Sequence, residues 1–242
     1  MKNLTRRSFL GLAGMASVFL GACGGQGATS DESATSATDG STGSDSADSD
    51  SADASPTTDE PGKVVNGVLM TPYDEGYSTG KHHATIKVKD FGTIKLELNA
   101  TNAPITVSNF AHLVNQKFYD GLTFHRIIKD FMIQGGDPNG DGTGGADINI
   151  LGEFSQNGIV NVIQHKRGVI SMARSQENNS ASSQFFIMHG DAEHLDNAYA
   201  AFGKVTDGMD VVDAIAEVPV EDGNGTVKHE NQPVIESIVM DD

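Results

Sequence analysis

Short strand-like runs dominate residues 63–242 of this chain. Runs that alternate apolar and polar residues, or that are apolar throughout, occupy residues 85–88, 93–98, 123–128, 131–134, 168–173, 184–189, 201–205 and 234–240. Runs of this length, separated by Gly- and Asp-rich turns, are typical of antiparallel β-structure. Helical periodicity is confined to residues 102–116 and 211–217. The pattern predicts a mainly β fold, a closed antiparallel β-barrel capped by two α-helices.

The first 23 residues are predicted to be a signal peptide. Lys2, Arg6 and Arg7 give a basic start, and residues 9–20 form an apolar run. This run is shorter than the roughly 20 residues that a spanning helix needs, so it fits an export signal. Residues 5–10, Thr-Arg-Arg-Ser-Phe-Leu, fit a twin-arginine signal. Paired arginines also occur by chance in such regions, so the general secretory route stays open.

Cys23 is the only cysteine of the chain. The residues that end in it, Leu20-Gly21-Ala22-Cys23, resemble a bacterial lipobox, which implies cleavage before Cys23 and attachment of lipid to its thiol. Two or three acyl chains, at about 0.8 kcal/mol per buried CH₂, would anchor a protein stably. The alternative is an incidental cysteine behind a signal cut elsewhere. A single cysteine also excludes an intramolecular disulfide.

Residues 24–62 are predicted to be a disordered acidic tether. They consist mostly of Ser, Thr, Ala, Gly and Asp, contain no aromatic residue and no Leu, Ile or Val, and carry nine acidic but no basic side chains. Such a segment cannot bury enough apolar surface to offset the entropy of ordering it. Residues 63–82 read as an arm that leads into the domain, and the sequence leaves open whether residues 64–81 pack on it.

Net charge restricts the class of partner. The formal charge of −17 divides into +3 for the signal, −9 for the tether and −11 for residues 63–242. An acidic domain argues against binding to nucleic acid and against docking on anionic lipid headgroups.

Two segments of the domain carry the functional signal. Residues 124–137 read F-H-R-I-I-K-D-F-M-I-Q-G-G-D, and residues 183–188 read S-Q-F-F-I-M. An arginine among so many apolar residues is costly to bury. A pocket wall accounts for it, with Phe131, Met132 and Phe186 as an apolar floor and Arg126 as a source of N–H donors.

These two segments closely resemble the signature of the cyclophilin family of peptidyl-prolyl cis/trans isomerases. The resemblance extends over about residues 83–240, which places an isomerase domain at 83–242. It implies an eight-stranded barrel and the acceleration of rotation about X-Pro bonds. No bond is broken in that reaction, so neither a nucleophile, a metal nor any other cofactor is expected.

The resemblance gives Arg126 and Gln134 the catalytic roles. Rotation about the amide faces a barrier of roughly 18–20 kcal/mol. A donor that stabilises the growing lone pair on the prolyl nitrogen lowers this barrier, and Arg126 is permanently charged. Without the motif around it, Arg126 would be read as a solvated or ion-paired side chain. Gln134 matches a position that orients the arginine or binds the substrate backbone.

The resemblance also implies a substrate-binding set, consisting of Phe131, Met132, Ala173, Arg174, Gln184, Phe186, His194, Leu195 and Tyr199. Read from composition alone, the apolar members would be ordinary barrel core. Three positions depart from patterns common in the family: Arg174 where Asn is frequent, His194 where many eukaryotic members carry Trp, and Tyr199 where they carry His. Because the chain has no tryptophan, we expect weak binding of cyclosporin.

Two further motifs receive a structural interpretation. His125 precedes Arg126 on a predicted strand, so the two should point to opposite faces, and His125 is expected to be a satisfied buried histidine rather than a general base. Residues 137–142 fit the first half of a calcium loop, but Ile148 stands where the bidentate Glu is needed. Glycines that let the backbone approach a substrate explain this loop better.

The sequence thus predicts a monomeric isomerase anchored by lipid on the extracytoplasmic face of the cell membrane. Its partners would be Pro-containing segments of exported proteins, whose folding it would assist. The alternative is a non-catalytic chaperone or scaffold that binds Pro-containing segments without turnover.

Overall fold

The computed structural model describes residues 60–242. The predicted signal peptide, Cys23 and residues 24–59 of the predicted tether lie outside the described residues. In chain order the elements are β1 (Val64–Val65), β2 (Val68–Leu69), β3 (Lys81–Val88), β4 (Gly92–Asn99), α1 (Pro104–Asn115), β5 (Thr123–Ile128), β6 (Met132–Asp137), β7 (Asn149–Ile150), β8 (Val169–Met172), β9 (Phe185–Met188), β10 (Ala201–Asp207), α2 (Met209–Ala216) and β11 (Ile235–Met240).

The prediction of a mainly β fold with eight antiparallel strands and two helices is confirmed. One sheet contains eight strands in the order β11-β3-β4-β10-β8-β9-β6-β5, and every pairing within it is antiparallel. A small second sheet, in the order β1-β2-β7, was not predicted. Its strands of two residues are too short to leave a periodic pattern in the sequence.

The predicted closure of the barrel is wrong. β5 and β11 are the two edges of the large sheet, and no ladder joins them. The start of β5 instead forms one isolated bridge, from Thr123 to Val234, the residue before β11. Farther along β5, the segment 221–227 takes the place of a partner strand, with Ile127 N–H donating to Gly225 O at 2.8 Å. The sheet is therefore an open half-barrel, since a loop rather than a strand covers one edge.

The side chains of the central strands alternate between the two faces of the sheet and so form two separate apolar clusters. The larger cluster includes Ile133, Ile170 and Phe185 together with the buried faces of α1 and α2. The residues next to these in sequence, Met132, Val169 and Phe186, belong to a second, smaller cluster. Successive side chains of a strand point to opposite faces, so the second cluster lies on the other side of the sheet.

The segment that precedes β3 packs on the domain, which settles the question that the sequence left open. Leu69 is fully buried in the main core, and β2 pairs in parallel with β7. The Tyr73 ring stacks on His112 of α1 with centroids 4.1 Å apart, and the Tyr73 N–H donates to Ser108 Oγ at 3.0 Å.

Glu153 caps α1 from a distance of about fifty residues in sequence. The residue before the helix, Ala103, has no side chain that could accept a hydrogen bond. The buried carboxylate of Glu153 instead accepts from the N–H groups of Ile105 at 2.9 Å and Thr106 at 2.7 Å, and from the Thr106 hydroxyl at 2.6 Å. Within residues 60–242, neither helix is long and apolar enough to cross a bilayer.

Candidate active site

A β-bulge in β5 sets the direction of the first site residues. The ladder pairs Phe124 with Gly135 and Arg126 with Gln134, so two steps along β5 correspond to one step along β6. His125 is the extra residue of this bulge, and the alternation of faces is broken there. His125 and Arg126 consequently line the same cavity. The prediction that they point to opposite faces is wrong for this reason.

A chain of hydrogen bonds fixes the guanidinium of Arg126. Its Nε donates to the carbonyl oxygen of Asn224 at 2.8 Å, and its Nη1 donates to Oε1 of Gln134 at 3.2 Å. Gln134 Nε2 then donates to Oε1 of Gln184 at 2.8 Å. Gln184 Nε2 in turn donates to the carbonyl of Gly144 at 2.7 Å, which joins the chain to the glycine-rich loop.

The Nη2 group of Arg126 forms no hydrogen bond within residues 60–242, so it is free to donate to a bound molecule. Burial lowers the pKa of the guanidinium, while Tyr199 and Asp222 act in the opposite direction. An arginine has so high a pKa that the group stays charged. Arg126 and Gln134, predicted as catalytic, and Gln184, predicted to bind substrate, thus form one connected unit.

The predicted apolar substrate-binding residues also lie together. The second cluster contains Met132, Phe186 and Leu195, with Phe131, Ala173 and Tyr199 packed against it. Gln134 pairs in register with Phe186, so the polar chain borders this cluster directly. The Phe186 ring meets Tyr199 edge to face at a centroid distance of 5.9 Å. The set is therefore separated from the main core rather than part of it.

The second cluster packs against His165, which is held by Asp196 and Ser171. The sequence did not indicate any of these three residues. The His165 ring stacks on Phe186 with centroids 6.0 Å apart. Its Nδ1 lies 2.9 Å from Asp196 Oδ1 and its Nε2 lies 3.0 Å from Ser171 Oγ. Burial lowers the pKa of His165, although Asp196 acts in the opposite direction. No local motif links residues so far apart in sequence, so the contact between His165 and Asp196 is evident only in three dimensions.

The guanidinium of Arg174 is engaged by the protein itself. Its Nε donates to the carbonyl of Ala198 at 2.9 Å, and its Nη1 donates to the carbonyls of Ser175 and Gln176 at 2.9 and 3.1 Å. The same group lies over the rings of Phe154 and Tyr199, 5.0 and 4.8 Å from their centroids. Arg174 therefore holds the ring of Tyr199 against the loop at residues 174–176.

His194 occupies the rim of the site. It lies in a 3₁₀ turn, Glu193–Leu195, and is exposed. Its ring stacks on Phe131 at a centroid distance of 5.8 Å. The next residue, Leu195, is buried in the second cluster.

Asp137 organises the glycine-rich loop. Its carboxylate accepts hydrogen bonds from the backbone N–H groups of Asn139 at 2.8 Å, Asp141 at 3.1 Å and Gly142 at 2.5 Å. A Cβ at Gly144 would collide with this carboxylate, and Gly142 has a positive φ of 89°. Both glycines are therefore required by the loop geometry. Within residues 60–242, no group of three or more His, Cys, Asp or Glu side chains is placed to hold a metal.

A guanidinium fixed beside an apolar cluster can donate a hydrogen bond to a polar atom of a bound molecule while the cluster holds the apolar part of that molecule. The family model of the cyclophilin type peptidyl-prolyl cis-trans isomerase/CLD matches residues 83–240. The chain belongs to this cyclophilin family. Its function is the cis/trans isomerisation of peptidyl-prolyl bonds.

Similar proteins from several organisms agree with this assignment. The chain is 36% identical over 177 residues to peptidyl-prolyl cis-trans isomerase A of Dickeya dadantii, which covers 71% of this chain and 91% of that protein. It is 42% identical over 140 residues to peptidyl-prolyl cis-trans isomerase B of Bacillus subtilis, covering 55% of this chain and 94% of that protein.

Solved structures show the same fold. A cyclophilin type peptidyl-prolyl cis-trans isomerase of Cryptosporidium parvum matches with a TM-score of 0.60 and 29% identity, covering 67% of this chain and 99% of that chain. The structure of that enzyme in the presence of the dipeptide Ala-Pro matches with a TM-score of 0.59 and 31% identity, covering 66% of this chain and 99% of that chain.

Proposed function

We propose that this protein isomerises X-Pro bonds in exported proteins, held by a lipid on Cys23 at the extracytoplasmic face of the cell membrane. The observation that carries the catalytic part is the fixed guanidinium of Arg126 beside the second apolar cluster. A proline ring held by that cluster places its nitrogen within reach of the free Nη2 group. The Ala-Pro dipeptide of the Cryptosporidium parvum relative supports a Pro-containing peptide as substrate.

Arg126 acts on the twisted amide. As the C–N bond rotates, the prolyl nitrogen leaves conjugation and its lone pair becomes a hydrogen-bond acceptor. A donor aimed at that atom binds the transition state more strongly than either planar isomer, which is the condition for catalysis. Shortening an exchange time of about 100 s to about 1 ms requires roughly 7 kcal/mol of such differential stabilisation.

The other site residues have supporting roles. Phe131, Met132, Phe186, Leu195 and Tyr199 grip the ring of the proline. Gln134 and Gln184 hold the guanidinium in its direction. Ala173 and Arg174 form the backbone shelf for the residue before proline, and His194 borders the slot.

The N-terminal residues support the proposed location. Residues 5–10 fit a twin-arginine signal, Leu20-Gly21-Ala22-Cys23 fits a lipobox, and the acidic residues that follow fit a spacer. A flexible chain of that length would hold the domain roughly 35 Å from the membrane. The anchored protein would act as a monomer on chains that emerge from export.

Catalysis is tested with short Ala-Pro peptides. Wild-type protein is expected to accelerate their cis/trans exchange, and Arg126→Ala is expected to lose at least 99% of kcat/KM while it still binds the peptide. Binding by wild type without acceleration would instead favour the non-catalytic chaperone or scaffold.

The anchor is tested with the full chain expressed in a bacterial host that exports lipoproteins. Wild type is expected to incorporate labelled palmitate and to sediment with membranes, whereas Cys23→Ser is expected to do neither while keeping its isomerase activity. Membrane association of Cys23→Ser equal to that of wild type would contradict the proposed anchor.

A further inference from the structure

The segment 221–227 supplies one of the two contacts that direct the guanidinium of Arg126. The carbonyl of Asn224 accepts the Nε–H of Arg126 at 2.8 Å, while Oε1 of Gln134 accepts from Nη1 at 3.2 Å. Because the guanidinium is a rigid planar fork, two such contacts fix both its position and its rotation. The direction of Nη2 therefore depends on where the segment places the Asn224 carbonyl.

The C-terminal half of the segment is fastened to the backbone of β5. Ile127 N–H donates to Gly225 O at 2.8 Å, and Val227 N–H donates to the His125 carbonyl at 3.0 Å. Gly225 has a positive φ of 85°, and a Cβ there would collide with the Ile127 carbonyl, so this close approach requires glycine. The His125 ring takes no part. It is buried and neither of its nitrogens has a hydrogen-bond partner within residues 60–242, so the expectation of a satisfied histidine is wrong.

The tip of the segment, residues 222–224, lacks such packing. Its ends are joined by a bond of 2.7 Å from the N–H of Glu221 to the carbonyl of Thr226, and the residues between them up to Asn224 are exposed. A Cβ added at Gly223 would meet no atom within 4 Å. An exposed tip that contains glycine is costly to order, so a further interaction must hold the Asn224 carbonyl in place.

The carboxylate of Asp222 provides this interaction. Its Oδ1 accepts from the N–H groups of Asn224 at 3.0 Å and Thr226 at 3.1 Å, and its Oδ2 accepts from the Thr226 hydroxyl at 3.0 Å. Aspartate stabilises tight turns by such bonds to the backbone that follows it. The Thr226 N–H above all holds the pKa of Asp222 below its usual range, so the carboxylate is ionised and accepts these bonds at neutral pH.

Asp222 acts on Arg126 through geometry rather than charge. Burial lowers the pKa of Arg126, and Tyr199 and Asp222 oppose this effect, but an arginine stays charged in either case. Asp222 is also absent from the wall of the cavity beside Arg126, to which Asn224 and Thr226 contribute. Its effect on a bound peptide is therefore indirect and passes through the Asn224 carbonyl.

We propose that Asp222 is a positioning residue for the isomerisation, which directs the guanidinium of Arg126 by fixing the turn at residues 222–226. The proposal rests on the proposed role of Arg126 and adds the side chain that holds one of its two acceptors in place. An interaction that improves the aim of a donor at the twisted amide affects kcat rather than the binding of the planar substrate.

Three variants test this role in steady-state kinetics on an Ala-Pro peptide. Asp222→Ala is expected to lower kcat about fivefold, the equivalent of one net hydrogen bond, with KM within about twofold of wild type. Asp222→Asn keeps an oxygen for the two N–H groups and can donate to the Thr226 hydroxyl, so it is expected to retain at least about half of the wild-type kcat without the charge. Gly223→Ala lies in the same turn with open space around the added Cβ, and as the control it is expected to match wild type.

A second measurement follows the Arg126 side chain itself and needs no turnover. Exchange of the Nε proton of Arg126 with water is measured by NMR in ¹⁵N-labelled protein. Donation to the Asn224 carbonyl protects this proton in wild type and in Asp222→Asn, and exchange is expected to be about fivefold faster in Asp222→Ala. Thr226→Val removes only the bond to Oδ2 and is expected to change exchange and kcat in the same direction by a smaller factor.

The outcomes separate this proposal from the role of Arg126. A wild-type kcat in Asp222→Ala, or an unchanged exchange rate of the Arg126 Nε proton, would overturn the role of Asp222. An Asp222→Asn variant as slow as Asp222→Ala would overturn it too, since charge and not the turn would then matter. If Arg126→Ala kept the wild-type kcat, the proposed role of Arg126 would fail instead, and proton exchange would still decide whether Asp222 fixes the guanidinium.

Discussion

Nη1 of Arg126 donates a hydrogen bond of 3.2 Å to Oε1 of Gln134 across two neighbouring strands. The two residues are paired in register in the β5–β6 ladder, so the backbone itself sets their separation. Gln134 is in turn held by Gln184 at 2.8 Å. The direction of the guanidinium thus depends on rigid strands rather than on a loop.

Gln134→Leu is expected to lower kcat about tenfold with little change in KM. The substitution removes the acceptor that orients Arg126, so the guanidinium samples directions that miss the prolyl nitrogen, and a tenfold loss corresponds to about 1.4 kcal/mol. Steady-state kinetics on an Ala-Pro peptide measure the split. Gln156→Leu, an exposed glutamine, serves as control. A change confined to KM would show that Gln134 binds substrate and does not position Arg126.

Arg174→Lys is expected to destabilise the fold by about 1–2 kcal/mol and to raise KM. Lysine cannot reproduce the three hydrogen bonds to the carbonyls of Ala198, Ser175 and Gln176 or the planar contact with the rings of Phe154 and Tyr199. Urea unfolding gives the stability, with Lys89→Ala at an exposed site as control. A variant as stable as wild type, with unchanged KM, would contradict a supporting role for Arg174.

Stability is expected to fall as the pH drops from 7 to 5. Burial lowers the pKa of both His125 and His165, so below the ordinary value of 6.5 the unfolded chain binds protons that the folded chain does not. The two histidines therefore make their full contribution to the free energy of unfolding above about pH 6.5. As the pH falls toward their pKa values in the folded protein, this contribution declines by up to about 1.4 kcal/mol per pH unit for each histidine.

Urea unfolding at several pH values measures this slope. His125→Phe removes one titrating group and is expected to make the slope shallower. If stability changed equally with pH in wild type and in His125→Phe, the folded and the unfolded chain would bind protons equally at His125, which would contradict this prediction.

Cyclosporin is expected to inhibit the wild-type protein weakly, because His194 stands where many eukaryotic family members carry tryptophan. His194 stacks on Phe131 at the exposed rim, so a larger ring can be placed there without disturbing the core. His194→Trp is expected to strengthen inhibition at least tenfold in a protease-coupled peptide assay. Sub-micromolar inhibition of the wild type would refute this account of the rim.

The strands and helices were predictable because their residues repeat with a clear period. Residues 123–128 were predicted as a strand with the ends that β5 has in the structure, and Pro104 marked the start of α1. Such patterns depend on neighbours in sequence. They identify the elements without showing which edges of a sheet meet.

Contacts between distant residues could not be predicted in this way. The bulge at His125, the cap that Glu153 provides for α1 and the contact of buried His165 with Asp196 each depend on a partner elsewhere in the chain. The positions of Arg126 and of the residues proposed to bind proline were indicated by the family resemblance. Periodicity alone would have placed Phe186 in the main core.

The rate of cis/trans interconversion of a peptide while it is bound to the protein tests the role of Arg126 most directly. Two-dimensional NMR exchange spectroscopy of an Ala-Pro peptide gives the rate constant of cis/trans interconversion in the bound state, separately from the dissociation constant. For Arg126→Lys we expect a rate constant at least 100-fold below wild type, with a dissociation constant within threefold of wild type and an unchanged Tm. A bound-state rate constant equal to that of wild type would contradict the claim that a directed guanidinium stabilises the twisted amide.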